Sequence, residues 1–236
     1  YLPGQSLSAV LRAAGALPAP MALDIAGQVA EALSVAHAAG VLHRDVKPGN
    51  LVEHAPGTYK LIDFGIALSA LSASVTRTGA VIGTPAYIAP EVVAGQPAGP
   101  GADLYALGVM LFEMVTGRLP FDDANPFQLV RRHLESPAPR ASASTPRLPR
   151  PLDDLIARLL AKSPRERPAS ALELLDALRA QLPVPRFRDV ALVPAAPRVP
   201  AGPPPARLGM LPLCDAPSRL GRRIVWDLML AGLLLM

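Results

Sequence analysis

The 236-residue sequence predicts an α+β fold that is mainly α, with one short β-hairpin. Three observations carry that expectation. Several segments place apolar residues at helical spacing, only two short stretches read as strands, and the composition changes near Leu182. Half of the residues are apolar, enough to bury a sizeable core. The single cysteine, Cys214, excludes an intrachain disulfide framework and a Cys-rich zinc site, and points to a reducing compartment.

Along the chain, residues 20–39 open at Pro20 and stop at Gly40, with Ile25, Val29, Leu33 and Ala36 in one apolar stripe. Short strands are expected around Asn50–Val52 and Tyr59–Ile62. Residues 102–115 leave almost no polar face, which predicts a helix buried on all sides. Leu152, Leu155, Ile156 and Leu159 mark an amphipathic helix. A Ser170-x-x-Glu173 capping box opens the last helix, running to about Leu182. No repeat of fixed period is present.

From Pro183 to Pro217 the chain is rich in Pro, Ala and Arg and includes Pro203-Pro204-Pro205, so it is expected to be an extended linker. The net charge of +4 resides in residues 183–236, which hold seven Arg and three Asp, while residues 1–182 are neutral. A nucleic-acid binder concentrates basic charge on its folded part, so no nucleic-acid partner is expected. Ile224–Met236 is apolar apart from Asp227 and follows Arg222-Arg223. Thirteen residues are too few to span a bilayer; the segment reads either as a short packed helix or as the start of a membrane helix with basic flanking residues. No signal peptide is evident.

The chemistry lies in VLHRDVKPGN at 41–50 and KLIDFGIA at 60–67. Asp45 is a carboxylate able to orient a hydroxyl and accept its proton. Lys47, two residues on, points the same way along extended backbone and can place positive charge on a transferring group. Asn50 offers a neutral oxygen and Asp63 a hard anionic one, and such ligands suit Mg²⁺ together with phosphate oxygens. Gly65 permits an unusual backbone turn behind Asp63. A base, a lysine and two magnesium ligands within nineteen residues make a phosphoryl-transfer set.

With these motifs the sequence resembles the eukaryotic-type Ser/Thr protein kinases in their bacterial form. The resemblance implies the large, C-terminal lobe of the kinase fold, with its hairpin at the catalytic loop, and a protein kinase that transfers the γ-phosphoryl of ATP to Ser or Thr of protein substrates. ATP and Mg²⁺ are the implied cofactors. By the same resemblance Asp45 is the base, Lys47 meets the γ-phosphate, and Asn50 and Asp63 hold magnesium. His43 and Phe64 are packing residues. In GTPAYIAPE at 83–91, Thr84 contacts the catalytic Asp and Lys, and Ala89-Pro90-Glu91 anchors the substrate-docking loop. Asp103 holds the catalytic-loop backbone, and Arg167 pairs with Glu91 in a buried ion pair. Thr76 and Thr78 resemble paired autophosphorylation sites, with Arg44 as the group that receives the phosphate.

The match covers about residues 1–182. Residues 1–7 resemble the hinge between kinase lobes. No glycine-rich phosphate loop is present: Gly99-Pro-Gly101 has Leu104 where the third glycine would stand, and the only lysines are Lys47, Lys60 and Lys162. The chain is therefore expected to be a fragment, or a lone lobe, with negligible ATP turnover by itself. A pseudokinase scaffold binding protein partners is the alternative; the intact set Asp45, Lys47, Asn50 and Asp63 argues against it. The expected location is the cytoplasm, with membrane tethering if Ile224–Met236 continues into a span.

Overall fold

The helical period of residues 20–39 is realised as α2 (Ala19–Ala38), with Pro20 in its first turn. It follows a shorter helix, α1 (Leu7–Ala14), whose Leu7 and Leu11 are buried. The computed structural model describes residues 4–64 and 85–182, all within one compact unit. Sequence reasoning did not anticipate α1, because eight residues hold a helix only when packing supports it.

The hairpin forms where expected, one to three residues longer or shorter at each end. Strand β1 (Leu51–Ala55) pairs antiparallel with β2 (Thr58–Leu61) in the register Leu51↔Leu61, Val52↔Lys60, with an irregularity between Glu53 and Ala55. Two strands alone are marginal in water, and helix α2 fixes these. Gln28 donates from Nε2 to the Gly57 carbonyl in the turn and accepts at Oε1 from the Tyr59 amide. On the other edge Ser6 bridges Val52, and the Glu53 amide donates to the Gln5 carbonyl. Gly4 lets that segment lie close: a Cβ there would stand 1.6 Å from the Glu53 carbonyl oxygen.

A four-residue helix, α3 (Pro90–Val93), leads to the central helix α4 (Pro100–Thr116). Every residue from Asp103 to Phe112 is buried, as the missing polar face predicts. Helix α4 packs between α2 and α6 (Arg150–Leu159). At Gly108 the contact with α6 is so close that an added Cβ would lie 2.6 Å from Leu159 Cβ. Helix α5 (Pro126–Glu135) is capped by Asn125, whose side chain accepts from the Phe127 amide. The last helix, α7 (Ala171–Arg179), packs on α2. Its capping box is formed with one change. Ser170 Oγ accepts from the Glu173 amide, but Glu173 Oε2 reaches back to the Ala169 amide, one residue before the cap. Among the described residues no helix is long and apolar enough to cross a membrane; Ile224–Met236 lies outside them.

Candidate active site

The hairpin register decides what the site contains. Because Leu51 faces Leu61, the open end of the hairpin sets Asn50 beside Ile62, whose amide donates to the Asn50 carbonyl at 2.9 Å. Asp63 follows at once. Two motifs twelve residues apart are thus brought to one edge.

Before Asn50, Lys47 is fully extended (φ −161°, ψ 161°) and leads into a 3₁₀ turn over Pro48–Asn50. That geometry folds three side chains together. Lys47 Nζ lies 2.7 Å from Asp45 Oδ2. Asn50 Nδ2 donates to the same Oδ2 and to the Asp45 carbonyl, each at 2.8 Å. Both amide hydrogens of Asn50 are therefore directed at Asp45, and its Oδ1 and Asp45 Oδ1 accept no hydrogen bond among the described residues. The expected alignment of Lys47 with Asp45 is present as a direct contact.

His43 lies between the two acidic motifs. It is wholly buried, Nε2 donates to the Ile62 carbonyl at 3.0 Å, and Nδ1 accepts from the Asp45 amide at 3.3 Å. Its ring stands 4.6 Å from that of Phe64. Burial lowers its pKa against the opposing pull of the Asp103, Asp45 and Asp63 carboxylates. The neutral ring thus ties the loop of Asp45 to the segment of Asp63, and both carboxylates reach it electrostatically.

Asp103 secures the loop from beneath. It sits in the first turn of α4, 2% exposed, and accepts at Oδ2 from the His43 amide and at Oδ1 from the Arg44 amide. A third contact comes from His37 Nε2, 2.8 Å from Oδ2. Arg44 and Asp63 are the two non-glycine residues with positive φ among those described, at 65° and 58°. Strained backbone is held only where surroundings enforce it. Asp63 itself occupies the left-handed region, which its short polar side chain tolerates; Gly65, expected to permit an unusual turn behind it, lies outside the described residues.

Glu91 and Arg167 form the expected ion pair, Nη1 to Oε1 at 2.7 Å and Nη2 to Oε2 at 2.8 Å. The guanidinium also donates to the carbonyls of Gly101, Ala161 and Lys162, so all five N–H groups are used.

Sequence reasoning missed three participants. His37 ends α2, six residues before His43, and nothing in its spacing marks it as a partner of Asp103. Tyr87 donates its hydroxyl to Glu113 Oε2 at 2.6 Å, joining the 3₁₀ turn Pro85–Tyr87 to α4. Arg12, on α1, lines a cavity that also contains Lys47. A hydrophobic pattern carries no signal for such long-range polar pairs. Gly65, Thr76, Thr78 and Thr84 lie outside the described residues.

The residues fit a magnesium nucleotide. Asn50 Oδ1 and the exposed Asp63 carboxylate are oxygen atoms on one edge that could hold Mg²⁺, which uses few protein oxygens with phosphates completing its shell. No group of three or more His, Cys, Asp or Glu among the described residues could hold a metal alone.

The family model of the protein kinase domain matches residues 1–178. The serine/threonine-protein kinase drp72 of Corynebacterium efficiens is 41% identical over 180 residues, covering 76% of this chain and 34% of that protein. PknA of Mycobacterium tuberculosis is 42% identical over 177 residues, 75% of this chain and 40% of the relative. The chain thus spans little more than a third of the length of these curated relatives. Among solved structures, Rad53 residues 1–466 in complex with AMP-PNP align with a TM-score of 0.64 at 26% identity, covering 75% of this chain and 44% of that one.

Proposed function

This chain belongs to the protein kinase domain family, and we propose that it transfers the γ-phosphoryl group of ATP to Ser or Thr of protein substrates, as the names of its bacterial relatives state of them. In this reading residues 1–182 are the hinge (about 1–7) and large C-terminal lobe of that domain, and the sequence of residues 183–236 is a Pro/Ala/Arg-rich linker ending in a short apolar segment at 224–236. The observation that carries the reading is the contact of Lys47 Nζ and Asn50 Nδ2 with one oxygen of Asp45.

In the reaction, Asp45 Oδ1 orients the acceptor hydroxyl and takes up its proton as the hydroxyl oxygen bonds to the γ-phosphorus and the bond from that phosphorus to the β–γ bridging oxygen breaks, ADP leaving with the electron pair. Lys47 turns its ammonium to the transferring group. Asn50 Oδ1 and Asp63 are the groups that would hold Mg²⁺, which supplies neutralisation of phosphate charge. Asp103, through the His43 and Arg44 amides, keeps the base in place. The exposed Arg44 forms no ion pair among the described residues. That supports its role as the receptor of a phosphate on Thr76 or Thr78, to be tested by phosphopeptide mapping of active protein. Residues 1–236 contain no glycine-rich phosphate loop, so this polypeptide alone is expected to turn ATP over negligibly.

The test is transfer from γ-labelled ATP with Mg²⁺ to protein substrates, using the gene product that carries these residues. Asp45→Asn should slow transfer by about 10²- to 10⁴-fold while nucleotide still binds. Asp63→Asn should weaken magnesium-dependent nucleotide binding. Undiminished transfer by Asp45→Asn, or label absent from Ser and Thr, would end the proposal.

A further inference from the structure

Where α3, the last turn of α5 and the link from α6 to α7 meet, they line a cavity of about 520 Å³. It shares no lining residue with the cavity beside Lys47, and none of its side chains takes part in the phosphotransfer chemistry. Pro90 and Ala94 come from α3 and its end, Leu134 from α5, and Lys162, Ser163 and Arg165 from the link.

Charge sets what it can hold. Glu91 is the acid among the lining residues, and Arg167 neutralises it by bonding both of its oxygens. Lys162 is fixed in place: Nζ donates to the carbonyls of Arg132 and His133 near the end of α5 and lies 4.4 Å from the centroid of the Phe121 ring. Those two bonds leave one ammonium hydrogen. Burial, then the Arg167 guanidinium, lower its pKa to about 8, so it still carries charge near pH 7. Arg165 is exposed and forms no ion pair among the described residues, and Ser163 Oγ makes no hydrogen bond among them. Two cations and an open hydroxyl therefore stand beside an apolar shoulder of Pro90, Ala94 and Leu134, the last of them 38% exposed.

We infer that this cavity is a docking site for an acidic segment of the protein substrate, remote from the acceptor Ser or Thr, in which an Asp or Glu meets Arg165 and a neighbouring apolar side chain rests on Leu134. The inference rests on the phosphotransfer reading above, which makes the ligand a protein. The place suits such a ligand, since α3 follows the turn Pro85–Tyr87 after two residues, in the segment whose motif resembles a substrate-docking loop. A guanidinium and a carboxylate meet in planar, two-bond geometry, and the excess of positive charge in the lining excludes a basic segment.

In the experiment, one Ser or Thr acceptor peptide is extended on either side, through Gly/Ser linkers of graded length, by Leu-Glu-Glu, Leu-Gln-Gln or Leu-Lys-Lys, and assayed with the gene product carrying this chain. With a linker that reaches, Leu-Glu-Glu should lower KM about three- to tenfold relative to Leu-Gln-Gln, with kcat unchanged. The advantage should fall as salt rises. Arg165→Glu should pass it to Leu-Lys-Lys and Leu134→Ala should diminish it, while both variants handle the unextended acceptor as wild type does. Fluorescence anisotropy of the labelled extensions reads docking without transfer. Equal use of the three extensions, a preference for Lys, or an acidic preference that survives Arg165→Glu would overturn the inference and leave the transferase reading standing. Acidic binding that Arg165→Glu abolishes, without transfer to any Ser or Thr, would keep the site and end the transferase reading.

Discussion

Asp103 Oδ1 accepts a hydrogen bond from the Arg44 amide at 2.7 Å and so holds Arg44 at a φ of 65°. A residue in the central helix thereby sets the backbone one position before Asp45. The same carboxylate accepts the His43 amide and the His37 ring. Each buried amide left without its acceptor costs about 1–3 kcal/mol. Asp103→Ala should therefore lower unfolding free energy by about 2–4 kcal/mol, and Asp103→Asn by less. Denaturant titration measures this; an unchanged midpoint for Asp103→Ala would show that the clamp carries no load.

Glu91 and Arg167 are both buried, and removing one strands the other's charge. Arg167→Met should cost about 3–5 kcal/mol, as should Glu91→Leu. The double variant should recover a large part of the loss, since no unpaired charge remains. A double-mutant cycle with negligible coupling would contradict the pairing.

His133 predicts an acid-sensitive core. It is wholly buried, with Nδ1 2.9 Å from the Tyr105 hydroxyl. Burial, then the nearby Lys162 ammonium, lower its pKa from 6.5 to about 4. The unfolded chain therefore binds the proton first as pH falls, so stability declines between pH 6.5 and about 4. His43, also lowered by burial, adds in the same direction. The contribution of His133 is up to about 3 kcal/mol. His133→Gln should flatten this part of the stability–pH profile; a slope equal to wild type would disprove the assignment.

Gly108 leaves no room for a methyl group against α6. Gly108→Ala should destabilise by about 1–3 kcal/mol and lower the melting temperature. Leu159→Ala should not rescue it, because the obstructing atom is Leu159 Cβ, which alanine keeps.

The regular elements were legible where periodicity was strong. Helices α2, α4, α6 and α7 form within a few residues of the expected bounds, because apolar spacing reports directly on which face is buried. The short helix α1 was not legible, since its hold comes from packing of Leu7 and Leu11 on distant residues. Of the site, spacing showed Asp45, Lys47 and Asn50 as close neighbours with Lys47 pointing the same way as Asp45, but their direct contacts on one Asp45 oxygen were not read from it. The resemblance supplied the long-range pairs of Asp103 and Arg167; spacing alone supplied neither. His37 and the Tyr87–Glu113 bond escaped both routes.

Residue order was enough to set the helical period, the hairpin, the family and the chemical identities at Asp45, Lys47, Asn50 and Asp63. How these groups are held emerges from the folded chain: the strained backbone at Arg44 and Asp63, the three contacts on Asp103, and the cavity that Arg12 shares with Lys47. The division has a physical cause. Burial of a helix face follows from neighbours three and four residues away, whereas a polar contact across 60 residues exists only after the intervening chain has folded.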